Sequence, residues 1–557
     1  MVDGSSGPQR SLQQLAQADR QRHDLFIGLV APLGSSNKEV RESLEGKLTT
    51  YGYSTERAHL AGLLDDLNFG SPLPSRDNPD YHKLRMDAGD RLRKEAGDHS
   101  ALAALAIAYV ARHRQARRSK AIDEGSLTDP PPIAYIFDSL KHPREAQLLR
   151  NVYGAAYWQI SIVEDGDERI RNLARVLGEA DKTFDSAPLG RAQSLIDRDE
   201  ADVDAKHGQN VRDTFAQSDF YLAVNRGRPW TDGLDRFLSG AFDSPFISPS
   251  ADEEAMRFAS AAALRSAAVG RQVGAAIVPP AGSPVIVGTN EVPRPGGGQF
   301  REGDIPDFRD FQSGTDPNPA YTESVIRELF DRLAKANFFT AARNQAGGAA
   351  VLKEARKPGE DGKSLLDGTR AKSLIEFTRC LHAEQAAIVE AARTGTAIQD
   401  SKLYTTTFPC HECTKFIVGA GVSEVQYVEP YPKSLAGDMY ADLIDTRPPL
   451  EGGSRSAGDK IPFKAFLGFG PSRYDEVFTA GKRKLGSTIN RHDPANSVPV
   501  GIAWSELAVR EQEDAVVVAV AVSADLLAKS TIKDSSTTGT SPDLNEQQAE
   551  NRDGAAS

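Results

Sequence analysis

The chain has 557 residues with a hydrophobic fraction of 39% and a charged fraction of 26%, the balance of a globular protein long enough for two or more domains. Its net charge of −12 argues against a broad polynucleotide-binding face, because phosphate backbones are gripped through basic patches. No apolar run approaches the roughly 20 residues of a membrane span, and Met1 to Asp24 lacks the apolar stretch of a signal peptide, so the expected setting is cytoplasmic and away from membranes.

In chain order, residues 1–23 are dominated by Gly, Ser, Gln and Arg and are expected to be disordered. Leu25 to Val30 reads as a buried strand, followed by a loop around Gly34, Ser35 and Ser36 and a helix to about Tyr51. Strand, glycine loop and helix is the layout of a phosphate-binding loop. The motif is degenerate: Gly28 and Gly34 are six apart where the pattern needs five, and Ser35 stands in the place of the phosphate-binding lysine. Gly28, Gly34, Ser35, Ser36 and Asp138 are the candidate contacts if a nucleotide binds here, and phosphoryl transfer is disfavoured without the lysine. Further strands are expected at Ile133 to Phe137 (ending in Asp138), Ala156 to Val163 and Asp219 to Val224. Strands spaced by helices imply a parallel sheet covered on both faces, one domain over residues 24–240. A basic cluster, Arg112, His113, Arg114, Arg117, Arg118 and Lys120, is either a helix end complementing its dipole or a phosphate or RNA contact.

A Ser- and Pro-containing linker, Phe242 to Ser250, leads to a second domain over residues 251–485. It opens with a helix from Ala251 to about Ala268, then a hairpin of Val273 to Val278 and Pro284 to Gly288. Residues 300–379 form an insertion. Leu403 to Thr407 and Glu424 to Val428 are the next strands, and residues 525–557 read as a polar, disordered tail.

All three cysteines cluster near two short segments, Cys380-Leu-His382-Ala-Glu384 and Pro409-Cys410-His-Glu-Cys413. Cys410 and Cys413 are three apart, so on the first turn of a helix both sulfurs face one ion, and His382 completes three ligands. Three protein ligands with one open position is the arrangement of catalytic zinc, whereas structural zinc closes all four. His-x-Glu followed by Pro-Cys-x-x-Cys is the spacing of zinc-dependent nucleobase deaminases, with Glu384 in the position of the proton shuttle. Cys380 and His411 are the possible fourth ligands on a structural-zinc reading; otherwise Cys380 is a small apolar residue beside the site, and His411 and Glu412 are solvated.

The order of these pieces resembles the anti-phage dCTP deaminase family of bacteria. The pieces are Gly-Leu-Val-Ala-Pro-Leu-Gly at 28–34, Phe-Asp-Ser-Leu-Lys-His-Pro at 137–143, Arg-Ser at 265–266, Arg-Gln-Val-Gly-Ala-Ala at 271–276, Asn-Glu-Val-Pro at 290–293, the two zinc segments, and Phe-x-Gly-x-Gly-Pro-Ser-Arg-Tyr at 466–474. The resemblance implies an α/β chain: an N-terminal P-loop-NTPase-like parallel sheet with helices on both faces, fused to a C-terminal cytidine-deaminase-like α/β/α sandwich. It further implies deamination of dCTP, with dCMP as a second substrate, to drain the cytosine deoxynucleotide pool during phage replication. His382, Cys410 and Cys413 would hold one zinc ion per chain, Glu384 would move the proton, and Asn290, Arg271 and Arg265 would contact substrate. A homo-oligomer is expected, with a regulatory nucleotide or a small inhibitory RNA as partner of the N-terminal domain. The alternatives are a housekeeping dCMP or dCTP deaminase, a polynucleotide cytidine deaminase, and a non-enzymatic regulator that keeps the deaminase fold as a scaffold.

Overall fold

The computed structural model describes residues 22–536 apart from 68–71, 126–129, 182–186, 201–207, 225–228, 360–362, 432–433, 449–459, 480 and 501–504. The expectation for residues 1–23 therefore falls almost wholly outside the described residues.

The first sheet is built from β1 (Leu25–Val30), β2 (Ser54–His59), β3 (Ile133–Asp138), β4 (Tyr157–Val163) and β5 (Phe220–Ala223), all parallel to their neighbours, in the order β2-β3-β1-β4-β5. β2 has the sequence Ser-Thr-Glu-Arg-Ala-His and no apolar run, so it is invisible to pattern reading; it is a strand because it is the edge partner of β3. Alternate residues of β1 serve the two faces. Leu25, Ile27 and Leu29 pack against Val40, Leu44 and Leu48 of α1 (Asn37–Thr50), while Phe26 and Val30 pack with Ala103, Ala106 and Val110 of α3 (Ala101–Asp123), α2 being Tyr81–Ala96. Four further helices belong to this body: α4 (Pro143–Tyr153), which packs on the Phe26 face, α5 (Gly166–Asp181), α6 (Ala187–Glu200) and α7 (Val211–Phe215). Then α8 (Thr231–Ala241) closes the face begun by α1.

The second body opens with α9 (Ala251–Ala263), whose start is a reciprocal cap: Glu253 N–H donates to Ser250 Oγ (3.2 Å) and Ser250 N–H to Glu253 Oε2 (2.7 Å). Strands β6 (Gly274–Val278) and β7 (Ile286–Thr289) form the expected hairpin. The insertion contributes α10 (Pro317–Lys335), and the sheet is completed by β8 (Lys402–Thr407), β9 (Glu424–Glu429), β10 (Ile444–Asp445) and β11 (Ile461–Ala465) in the order β10-β11-β9-β8-β6-β7. Two helices cover one face, α11 (Ala383–Thr394) and α12 (His411–Gly419), and α9 covers the other. Both contacts are intimate. A Cβ at Gly274 would lie 1.9 Å from Ala259 O, and one at Gly288 would lie 2.1 Å from Ala383 O, so only glycine lets these helices rest on the hairpin.

Two assignments from the sequence are corrected. Residues 468–478 do not stay with the second sheet: β12 (Gly468–Phe469) adds antiparallel to β5 of the first, because Phe469 N–H is held by the buried Glu253 carboxylate (2.8 Å) and its ring packs with Trp158, Phe220 and Phe237. Nor is the whole of 525–557 without structure, since α13 (Glu506–Ser536) runs through its first part; residues 537–557 lie outside the described residues. Helix α13 docks on α3 because the basic cluster meets its acids. Arg114 is almost fully buried and donates to Asp24, to Glu513 (2.6 Å) and to Glu506, which Arg118 also reaches. The cluster thus holds its own chain together. No helix among the described residues is long and apolar enough to cross a membrane.

Replacing Gly288 by alanine should force β7 and the start of α11 apart. We expect a loss of about 1–3 kcal/mol, the usual cost of overpacking, whereas Gly46→Ala, in α1 with nothing within 4 Å of the new methyl, should gain about 0.5–1 kcal/mol. Chemical denaturation of the two variants beside the parent measures both.

Candidate active site

Two helix starts meet at one point. His382 is the N-cap of α11 and Cys410 the N-cap of α12, each with extended backbone, and Cys413 lies in the first turn of α12. The start of α11 is pinned to the end of β7, since Leu381 N–H donates to Glu291 O (3.1 Å). The start of α12 is pinned by Phe408 N–H to Glu429 O (2.7 Å). Nδ1 of His382 is consequently 3.2 Å from the Cys410 sulfur and 3.3 Å from that of Cys413.

The donor set suits zinc. One imidazole nitrogen and two sulfurs lie within 4.8 Å of one another, a span that a single ion bridges with bonds of about 2.0–2.3 Å. The electrostatics point the same way. The Cys413 thiol hydrogen-bonds the Cys410 sulfur and, against the cost of burial, pulls its proton affinity down; the adjacent His382 adds to this. Burial raises the thiol of Cys413 itself. Neither suggested fourth ligand joins the group. Cys380 instead faces Asp310, 3.5 Å away, and burial together with the Asp310 and Glu291 carboxylates pushes its thiol up to about 12. His411 is corrected from solvated to buried, with its Nε2 4.0 Å from Glu376.

Glu384 is 4% exposed and sits in the first turn of α11 with Oε2 3.4 Å from the Cys413 sulfur. Burial, then the negative sulfur of Cys410, raises its carboxyl to about 7. His382, Glu384 and Cys410 form the floor of a cavity of about 320 Å³ whose walls include Arg271, Asn290, Asp310, Asn318 and Tyr431.

The proposed substrate residues divide. Asn290 lines the cavity, with its side chain locked by Val273 N–H (2.7 Å) and by donation to Arg271 O (2.8 Å), so it is a fixed wall element. Arg271 stands half-exposed at the rim, paired with Glu429 (2.7 Å). Arg265 does not line the cavity and bonds Gln299 (3.3 Å). Pattern reading missed Asp310, Asp316 and Asn318, which the insertion brings to the cavity mouth; they carry no motif and are reached only through the fold of that loop. It also missed the role of Glu291, whose buried carboxylate holds Ala267 N–H (2.8 Å) at the start of the 268–271 wall.

The five N-terminal loop residues fare differently. Gly28 is inside β1, where a Cβ would lie 2.3 Å from the Tyr157 hydroxyl, so its glycine answers a packing need. Gly34, at φ +84°, turns the loop, and Ser35 Oγ donates back to Pro32 O (2.6 Å). The loop amides already hold anions: Ser36 N–H donates to Glu164 (2.7 Å) and Leu33 N–H to Asp199 (2.7 Å). Burial would raise the Asp138 carboxyl, but hydrogen bonds from Asn37 and Arg57 and the Arg57 charge hold it below its ordinary range.

Residues 249–429 match the model of the cytidine and deoxycytidylate deaminase zinc-binding region. The deoxycytidylate deaminases of Enterobacteria phages T2 and T4 are each 40% identical to the chain over 57 residues, 10% of this chain and 30% of the phage enzyme. A probable deoxycytidylate deaminase of Drosophila melanogaster is 40% identical over 62 residues, 11% of this chain and 26% of the fly protein. The chain therefore spans about a third or less of the length of the curated relatives it matches. Among solved structures, the apo dCMP deaminase of cyanophage S-TIM5 is similar at 18% identity and a TM-score of 0.20, over 39% of this chain and 99% of that one. Residues 249–429 are thus a zinc-binding deaminase region, with His382, Cys410 and Cys413 positioned as its zinc ligands.

Removing a ligand and removing the carboxylate should separate. Cys413→Ala should drop zinc content well below one per chain by atomic emission, while Glu384→Ala should keep it at one.

Proposed function

We propose that the chain hydrolyses the exocyclic amine of a cytosine deoxynucleotide, dCTP with dCMP as the second candidate, giving dUTP or dUMP and ammonia. The observation that carries this reading is the buried carboxylate of Glu384 beside the His382, Cys410 and Cys413 triad, at the floor of a cavity of nucleoside size. The names of the phage and fly relatives support it.

Bound zinc supplies Lewis acidity that brings a water's pKa towards neutrality. Glu384 is placed to take one proton from the water and pass it to N3 of the ring as the water oxygen bonds to C4, and then to take the remaining proton from the C4 hydroxyl and give it to the departing amine. The C4–N bond breaks, ammonia leaves, and C4 keeps the oxygen as a carbonyl. Asn290, held rigid by two backbone partners, presents a fixed edge to the base or sugar. Arg271 is at the rim, where exchanging Glu429 for a substrate phosphate costs it no net charge partner. Arg265 is left out of the contact set.

The biological reading is depletion of the cytosine deoxynucleotide pool in phage-infected bacteria, with the body around the first sheet as the regulatory part. It is supported by the order of motifs over residues 28–474 and by the intact His, Glu, Cys and Cys set.

Ammonia release from dCTP, dCMP, CTP, cytidine and a cytosine oligonucleotide tests the chemistry. Deoxynucleotides should be turned over, with Glu384→Ala slower by about 10²–10⁴-fold and Arg271→Ala raising KM more than it lowers kcat. Turnover of the oligonucleotide alone would replace this reading with polynucleotide editing. Nucleotide pools measured after phage challenge of cells expressing the chain test the biological role, which fails if dCTP does not fall relative to Glu384→Ala.

A further inference from the structure

A second cavity, a cleft of about 670 Å³ between the two sheets, is larger than the zinc pocket of about 320 Å³. It opens where the carboxyl ends of β1 and β4 face β9 and β11, the end of a parallel sheet at which α/β folds bind ligands, and its volume is within the range of small-molecule sites.

Its charges are unevenly committed. The lining carboxylates are engaged: Glu164 by Ser36, Glu200 by Arg169 (2.7 Å), Asp252 by the Tyr404 hydroxyl (2.5 Å), and Glu424 by Lys464 (2.8 Å). The guanidiniums are less fully engaged: Arg169 gives Nη2 to Glu200 and keeps its other terminal nitrogen, Nη1, buried and unpaired. Arg212 has no ion pair or side-chain hydrogen bond among the described residues. Among the described residues Arg447 reaches only Asp167, at 3.9 Å and with both side chains exposed. The forks of Arg212 and Arg447 and the unpaired nitrogen of Arg169, all lining one cleft beside the rings of Phe215, Tyr427 and Phe463, match an anion of several phosphates attached to a flat apolar group.

We propose that this cleft is a second ligand site, distinct from the zinc pocket, that takes a nucleoside polyphosphate with its phosphates on Arg169, Arg212 and Arg447. The phosphates do not sit on the loop amides, because Glu164 and Asp199 hold Ser36 N–H and Leu33 N–H. One stretch of chain serves both cavities: Tyr427, Val428 and Pro430 line the cleft, Glu429 pairs with Arg271, and Tyr431 lines the zinc pocket. Occupancy of the cleft therefore reaches the rim of the zinc pocket along one strand end. Binding to the cleft is independent of the reaction proposed above.

Isothermal titration of ATP into the full-length protein tests the site, since adenine carries no cytosine amine for the zinc pocket to act on. One ATP per chain should bind, and Arg212→Ala and Arg447→Ala should each weaken it about tenfold, the usual loss for a charge-assisted hydrogen bond. Thermal melts of both variants should match the parent, because neither arginine holds the fold. Asp199→Asn and Arg271→Ala should leave binding unchanged. No ATP binding by the parent, or equal binding by Arg212→Ala and Arg447→Ala, overturns the proposal. So does a tenfold gain in Asp199→Asn, which would put the phosphates on the loop amides, or a loss in Arg271→Ala, which would put ATP in the zinc pocket.

Discussion

The arrangement on which the second body depends is the meeting of two helix starts. A helix amino end carries about half a positive charge, and two of them aimed at one point would repel unless that point is negative. The sulfurs of Cys410 and Cys413 meet that need, and zinc binding by thiolates is favoured at the same place. Bringing the ends together requires α11 to lie directly on β7, which Gly288 permits, and requires Glu291 and Glu429 carbonyls to hold the entering chain.

Buried charge joins the two bodies. Asp219, fully buried at the entry to β5, receives Arg150 (3.1 Å) from α4, Gln159 N–H (2.9 Å) from β4, and Arg473 from the returning segment. Glu253 does the same for α8, α9 and β12, through Arg236, Ser250 and Phe469. Such clusters add little net stability compared with apolar packing, but removing one member strands the others, at a cost of about 3–5 kcal/mol. Their effect is therefore to specify one relative placement of the sheets. The cleft between them is a consequence of that placement.

In the first body the same economy of charge changes how the glycine loop is understood. A loop that presents backbone N–H groups at a helix start attracts anions, and here two side-chain carboxylates from β4 and α6 have taken them. Lys141 reaches Ala31 O (2.8 Å) and Asp199 (3.0 Å), so a lysine from a different loop stands at the place where Ser35 leaves none. A nucleotide entering this end of the sheet meets an internally neutralised loop and, beside it, guanidiniums that are only partly paired.

The zinc set was legible in the sequence because its signal is local: Cys410 and Cys413 are one helical turn apart, and His382 and Glu384 bracket the start of an alanine-rich helix. The buried strands β1, β3 and β4 were legible for a similar reason, as short apolar runs between glycines and prolines. What lies in pairing across long separations was not. β2 is polar and exists through β3, β12 exists through β5 some 250 residues earlier, and α13 is held by arginines on α3 nearly 400 residues away. The same holds at the site, where Arg265 and Arg271 look alike as letters. Only the path of the chain puts Arg271 on the cavity rim beside Glu429 and turns Arg265 towards Gln299, because side-chain direction is decided by packing and not by spacing.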